Sequence, residues 1–264
     1  MSTVKQHLDI YNPGEFYAAL GLLTVFSHQH QGADLYSCFD LSGHQGENNA
    51  AFIISSDVEL RTEQTTEDLA NAIVAPDRSA NVWSNPKEKN PFLISPVILS
   101  SNRWSITLDW WLDELRYRPN NRLKMWSGNS NPADMLKFFI KQGTGRINAG
   151  GTVFGFDTRT SRDALAVGFS KKDTGEKAGL YPRTELLCAI GLQRYRPQEY
   201  AYYAWEKRVP LSLTHAAAIQ EFPGISQFRV VFDVHKVGQG AKEVVPLRNG
   251  FITRLGSQKE TQYV

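Results

Sequence analysis

One short motif occurs twice in this chain, and it restricts the fold more than any other stretch. Glu15, Ala19, Gly21 and Leu22, within Asn12-Pro13-Gly14-Glu15-Phe16-Tyr17-Ala18-Ala19-Leu20-Gly21-Leu22-Leu23, recur at one constant offset. They return as Glu185, Ala189, Gly191 and Leu192 within Glu185-Leu186-Leu187-Cys188-Ala189-Ile190-Gly191-Leu192, and Pro13 and Pro182 stand just ahead of the two copies. Proline fixes φ where a helix begins, and the small residues give each helix a face that lies close on a sheet. Two such helices predict two related βα units.

The residues around the first copy extend that pattern. Val4 to Tyr11 alternates, with Val4, Leu8 and Ile10 on one side and Lys5, His7 and Asp9 on the other, which predicts a half-buried strand. Asn12 caps a helix from Glu15 to about His28, whose apolar face is Phe16, Ala19, Leu20, Leu23 and Phe26. Strands are expected at Asp34 to Leu41 and Ala51 to Ser55, and Thr65-Thr66-Glu67-Asp68 reads as a capping box opening a helix with Leu69, Ile73 and Val74 inside. The order β-α-β-β-α favours an α+β unit of ferredoxin-like type.

Pro76 to Pro91 is polar and predicts a long exposed loop. Phe92 to Ser101 and Arg103 to Trp111 read as paired strands, and Leu112 to Asn121 as irregular. Trp126-Ser127-Gly128-Asn129 is a compact turn anchored by its aromatic, and Asn131-Pro132-Ala133-Asp134 starts a helix that stops at Gly143. Ser170 to Gly179 is a charged linker. Further strands are expected at Val209 to Leu213 and Gln227 to His235, with a turn at Val237-Gly238-Gln239-Gly240. The chain divides as 1–142, a ferredoxin-like unit with an insertion, and 143–264, a second βα unit, unless the two merge into one domain.

Composition narrows the function classes. The chain has 264 residues, 41% hydrophobic and 21% charged, as globular proteins do. No apolar run is long enough to span a membrane and no signal peptide precedes Val4, so a cytoplasmic protein with no membrane partner is expected. Lys and Arg exceed Asp and Glu by 29 to 27, a balance less basic than a dedicated duplex-DNA binder but open to a subunit that contacts a few phosphates. Cys38 and Cys188 sit in apolar surroundings and read as free buried thiols in a reducing compartment.

Gly143-Thr144-Gly145-Arg146-Ile147-Asn148-Ala149-Gly150-Gly151 invites a phosphate reading, since glycines expose backbone N–H groups and Arg146 adds a forked donor. It equally fits a flexible loop. It is neither a dinucleotide fingerprint nor a Walker loop, so no cofactor is expected. Lys137, Lys141, Arg146, Arg159 and Arg162 cluster around it. Arg194, Arg196 and Arg208 interleave with Tyr195, Tyr200, Tyr202, Tyr203 and Trp205. Cations between aromatics suit single-stranded nucleic acid, with charges on phosphates and rings under bases; a solvated helix end with aromatics packed beneath reads the same way. No histidine or cysteine has a metal-ligand spacing, so no metal site is expected. His28 and His30, just past the first helix, are the candidates for general acid–base work on RNA, against a reading as surface histidines. No hydrolase or two-metal nuclease motif occurs.

These residues also carry a resemblance. The Asn12 to Leu23 stretch resembles the N-terminal signature of a small subunit family of type I-G (formerly I-U) CRISPR-Cas loci. Leu123-Lys124-Met125-Trp126-Ser127-Gly128-Asn129 and Tyr181-Pro182-Arg183-Thr184-Glu185-Leu186-Leu187-Cys188-Ala189-Ile190-Gly191-Leu192-Gln193-Arg194-Tyr195-Arg196-Pro197 are similar to two later motifs of that family, in the same order. The resemblance implies a RAMP-type protein built on RNA-recognition-like βαββαβ units. It would act, without being an enzyme, in a Cascade-like complex that holds CRISPR RNA and searches target DNA beside other Cas subunits, in antiviral defence. The crRNA contacts are expected at Lys137, Lys141, Arg146, Arg159, Arg162, Arg194 and Arg196. The alternative is a metal-independent endoribonuclease that processes pre-crRNA through His28 or His30; Val237-Gly238-Gln239-Gly240 is only a thin version of the glycine-rich loop such enzymes end in. A third reading is a scaffold that touches protein neighbours alone.

Overall fold

The computed structural model describes residues 1–43, 50–77, 83–84, 93–112, 131–148, 156–160, 179–196, 201–221, 225, 228–231 and 251–254. The first strand, β1 (Ser2–Leu8), has Val4 half-buried, Leu8 buried and Lys5 and His7 exposed, as its alternation requires. Helix α1 (Pro13–Gln29) follows, and Asn12 caps it by accepting from the Gly14 N–H at 3.1 Å. Strands β2 (Leu35–Asp40) and β3 (Ala50–Ser56) complete the opening unit. β3 lies between β1 and β2, antiparallel to both, so α1 crosses from β1 past β3 to β2.

The next elements depart from the expectation. Helix α2 (Thr62–Ala70) starts before the proposed capping box and ends before Ile73. Thr65 and Asp68 are not caps; they hold tertiary partners, Thr65 Oγ1 donating to Gln29 Oε1 at 2.8 Å and Asp68 accepting from Arg103 Nε at 2.8 Å. The β-branched Ile73 and Val74, read as helix face, begin strand β4 (Ile73–Pro76). β4 does not return to β1, as the last strand of a ferredoxin-like unit would; it pairs with β7 (Val97–Ser100), which pairs with β8 (Ser105–Leu108). Strands β5 (Trp83–Ser84) and β6 (Leu93–Ile94) pair across the stretch expected to be loop, and a 3-10 turn at Trp110–Leu112 shortens the second expected strand.

Helix α3 (Pro132–Gln142) begins and ends where its signals placed it, with Asn131 accepting from the Ala133 N–H at 3.0 Å and Gly143 at φ 75 closing the C-terminus. Strand β9 (Ile147–Asn148) pairs with β10 (Gly179–Leu180), and a 3-10 turn, Thr158–Thr160, lies between them in the chain. The second copy of the motif is helix α4 (Pro182–Arg194). Strand β11 (Ala201–Ala204) leads through Trp205 to β12 (Val209–Pro210), which pairs with β2. The strand expected over Val209 to Leu213 ends at Pro210, because Leu211–Ala218 is helix α5. Strands β13 (Phe228–Val231) and β14 (Phe251–Arg254) finish the sheet β11-β13-β14. The turns at Trp126 and Val237 and most of the Ser170 to Gly179 linker lie outside the described residues.

The architecture is therefore α+β with antiparallel sheets, and among the described residues no helix is long and apolar enough to cross a membrane. One contiguous apolar core runs through both expected units, and β12 from beyond residue 143 joins the sheet of β1, β2 and β3. The centre of that core corrects the reading of the repeated motif. α1 is buried on every side from Pro13 to Phe26, not amphipathic. One side meets β2 and β11, where Phe16 stacks on Phe39 at 5.3 Å and on Tyr202 at 4.1 Å; the opposite side meets α4. The small residues serve this helix–helix contact. A Cβ at Gly21 would land on the Leu187 carbonyl, and one at Gly191 would land on the Tyr17 carbonyl. The constant offset in sequence reappears as a two-fold relation in space.

Candidate nucleic-acid interface

The seven cations expected to hold RNA do not share one environment. Lys137 and Lys141 are exposed on α3, four residues apart and so on one face, with exposed Asp134 one turn earlier. Arg146 is exposed just beyond that helix, and its guanidinium crosses Gly179 so closely that a Cβ there would collide with it. All three are exposed, Lys137 and Lys141 on α3 itself and Arg146 four residues past its last residue. Arg162 lies outside the described residues.

The other three are engaged internally. Arg196 pairs with Asp109 at 2.8 Å. Arg194 is half-buried and donates to the Leu211 carbonyl at 3.0 Å. Arg159 is the most committed. Its guanidinium meets Glu15 Oε1 and Asp157 Oδ2 at 2.6 Å each, donates to Thr184 Oγ1 at 3.1 Å, and lies 3.7 Å from the centre of the Tyr181 ring. A fork so engaged serves the fold itself, and nothing in its geometry supports the assignment of Arg159 to RNA.

Arg159 belongs to a buried cluster that the sequence reading missed. Asp157, Glu15 and Glu185 are 1%, 8% and 0% exposed. Asn12 donates from Nδ2 to Asp157 Oδ1 at 2.9 Å and accepts at Oδ1 from the Thr158 N–H at 3.1 Å. The Asp157 N–H donates to Glu185 Oε1 at 3.3 Å, and the Asp9 N–H donates to Glu15 Oε2 at 2.5 Å. Gly14 permits the crossing, since a Cβ there would strike the Asp157 backbone. Burial pushes the Glu15 carboxyl above its ordinary range, and Arg159 only partly offsets this. Burial disfavours charge on Arg159 as well, but its bonds to Asp157 and the charge of Glu15 outweigh that and raise it. The available signal was the glutamate kept in both copies of an otherwise apolar motif; a buried carboxylate demands a partner.

The aromatic platform also dissolves into the core. Tyr202 and Trp205 are fully buried, Tyr202 Oη donating to the Ile10 carbonyl at 2.6 Å and Trp205 Nε1 to the Ser37 carbonyl at 3.0 Å. Tyr195 is buried against Thr214 at 2.9 Å, Tyr203 is half-buried and Tyr200 lies outside the described residues. His28 and His30 are half-buried at the end of α1. Burial, then the charge of Arg194, lowers the His28 pKa from 6.5. Burial raises both thiols, Cys38 and Cys188, and neither is in a disulfide. Among the described residues no group of His, Cys, Asp and Glu is arranged to hold a metal ion. No family model matches the chain, and no curated protein or solved structure matches it either.

Proposed function

We propose that this chain is an RNA-binding subunit of RAMP type in a multisubunit, RNA-guided DNA-targeting complex of the type I CRISPR class, and that it holds the CRISPR RNA by its backbone. The observation that carries the reading is the exposed group Lys137, Lys141 and Arg146, cations presented to solvent by a well-capped helix and the turn after it. Such a group pairs with phosphates and reads no bases. The strand order β1-β3-β2 with α1 connecting β1 to β2 past β3 supports the ferredoxin-like component of the proposal, and the three ordered motifs support the family.

The test is retention of RNA by purified protein or complex. Changing Lys137, Lys141 and Arg146 together to alanine should reduce the slope of log affinity against log salt by about 2, three contacts at about 0.7 each for a single strand, with equal loss for unrelated sequences. An unchanged slope would remove the assignment.

A second reading keeps His28 as a general base. Burial and Arg194 hold its imidazole neutral, which is the form that accepts a proton. Specific cleavage of repeat RNA in EDTA, lost in His28→Ala, would favour this enzyme; tight binding without cleavage would leave the subunit.

A further inference from the structure

Four described arginines meet a carboxylate at short range: Arg61 and Arg159 at 2.6 Å, Arg103 and Arg196 at 2.8 Å. Arg183, in the first turn of α4 and within the motif that opens at Tyr181, does not. Its side chain runs half-buried toward α2 and donates from Nη2 to Thr66 Oγ1 at 3.3 Å, a neutral hydroxyl. Nothing negative approaches it among the described residues. Burial alone lowers its pKa to about 10, with no opposing charge to restore it. Arg159, on the other side of the same helix turn, is raised instead by the carboxylates around it.

A desolvated cation without a counter-charge destabilises the chain that carries it, and an apolar side chain of similar volume would be preferred for stability. Such a group fits a site whose counter-charge arrives from outside. The guanidinium offers forked donors, the Thr66 hydroxyl adds a donor beside it, and the positive end of the α4 dipole favours an anion there. We propose that Arg183 and Thr66 form a phosphate subsite between α2 and α4. This inference deepens the RNA-backbone reading by adding a contact apart from the Lys137, Lys141 and Arg146 group. The shared chemistry is a phosphate group, supplied by an RNA backbone or by a free phosphate compound.

The experiment compares the full chain with Arg183→Met, using inorganic tripolyphosphate and a short oligouridylate as probes. Thermal melts in tripolyphosphate should raise the midpoint of the unmodified protein and leave that of Arg183→Met unmoved, although the variant melts higher without ligand. Arg183→Lys should keep a reduced response, since a lysine restores the charge but not the fork. An equal rise in the unmodified protein and Arg183→Met would overturn the subsite, as would a variant that melts lower and binds tripolyphosphate as before. In the RNA arm, Arg183→Met should weaken oligouridylate binding about tenfold and reduce the salt slope by about 0.7. Loss of the tripolyphosphate response with unchanged RNA affinity supports the subsite and assigns it to a free phosphate compound. The alanine variant at Lys137, Lys141 and Arg146 judges the broader RNA reading separately, because it leaves Arg183 in place.

Discussion

The helices α1 and α4 meet at both of their ends, and the two meetings have opposite chemistry. At the N-terminal ends, Glu15 and Glu185 sit in the first turns, and Asp157 joins them with Arg159 as counter-ion. At the C-terminal ends, His28 and Arg194 sit in the last turns, close enough for one to shift the other's titration. Two helices running in the same sense add their dipoles, so carboxylates gather where the positive ends converge and the Arg194 cation where the negative ends do. The carboxylates at the N-terminal end are buried and closely paired, whereas His28 and Arg194 at the C-terminal end are half-exposed, with Arg194 donating to the Leu211 carbonyl. The first behaves as a fastening for the segment 156–160; the second keeps the Arg194 cation within reach of solvent.

Both ends depend on the crossing between them, so the largest effect belongs there. Gly191→Leu or Gly21→Leu should yield no folded protein, because each new side chain starts inside the facing backbone carbonyl. Gly191→Ala alone should cost more than about 3 kcal/mol in a denaturant melt. A cost within experimental error of zero would mean that the two helices do not touch there. The next effect separates the ends. Arg159→Met leaves buried carboxylates without their cation and should cost about 3–5 kcal/mol at neutral pH. The loss should shrink on acidification. Glu15 titrates above its ordinary 4.5 in the folded chain, so its contribution is full below that value and is lost as pH rises through the folded one. Removing Arg159 moves that folded value further up. Melts of Arg159→Met and of Arg159→Met with Glu15→Gln, between about pH 4 and 8, should converge at the acid end and separate above it.

What could be read in advance follows the range of the interaction. Caps are local: Asn12 and Asn131, each followed by proline, placed α1 and α3 within two residues. Alternation placed β1, since one buried face leaves a period of two, and short strand-like runs placed β2 and β3. The repeat announced two related helices but not their mutual packing, because a small-residue face suits a sheet and a second helix alike. Thr65-Thr66-Glu67-Asp68 had the composition of a cap, and tertiary partners on Gln29 and Arg103 claimed it instead. Arg159 was legible as a cation and illegible as one engaged inside the fold, since Glu15, which it bridges to Asp157, stands far from it in the chain. Arg183 is illegible for the converse reason: only three dimensions reveal that, among the described residues, no carboxylate answers its charge.

The smallest predicted effect tests the open end of the helix pair. Arg194→Ala removes a favourable charge from the end of α4 and one hydrogen bond to a carbonyl, together worth about 1 kcal/mol. Tyr195 and Thr214 stay in place, so the fold should persist. The informative readout is the His28 pKa, followed by its ring protons in an NMR titration. Burial is the larger cause of its depression and Arg194 the smaller, so the value should rise in the variant yet remain below 6.5. The sign for stability follows. An imidazole depressed on folding contributes fully above 6.5, and that contribution is lost as pH falls through the folded value. Arg194→Ala should therefore narrow the acid-side fall in stability while lowering the plateau above it. If the His28 titration did not move, the two C-terminal ends would not be electrostatically joined, and the contrast with the N-terminal cluster would reduce to burial alone.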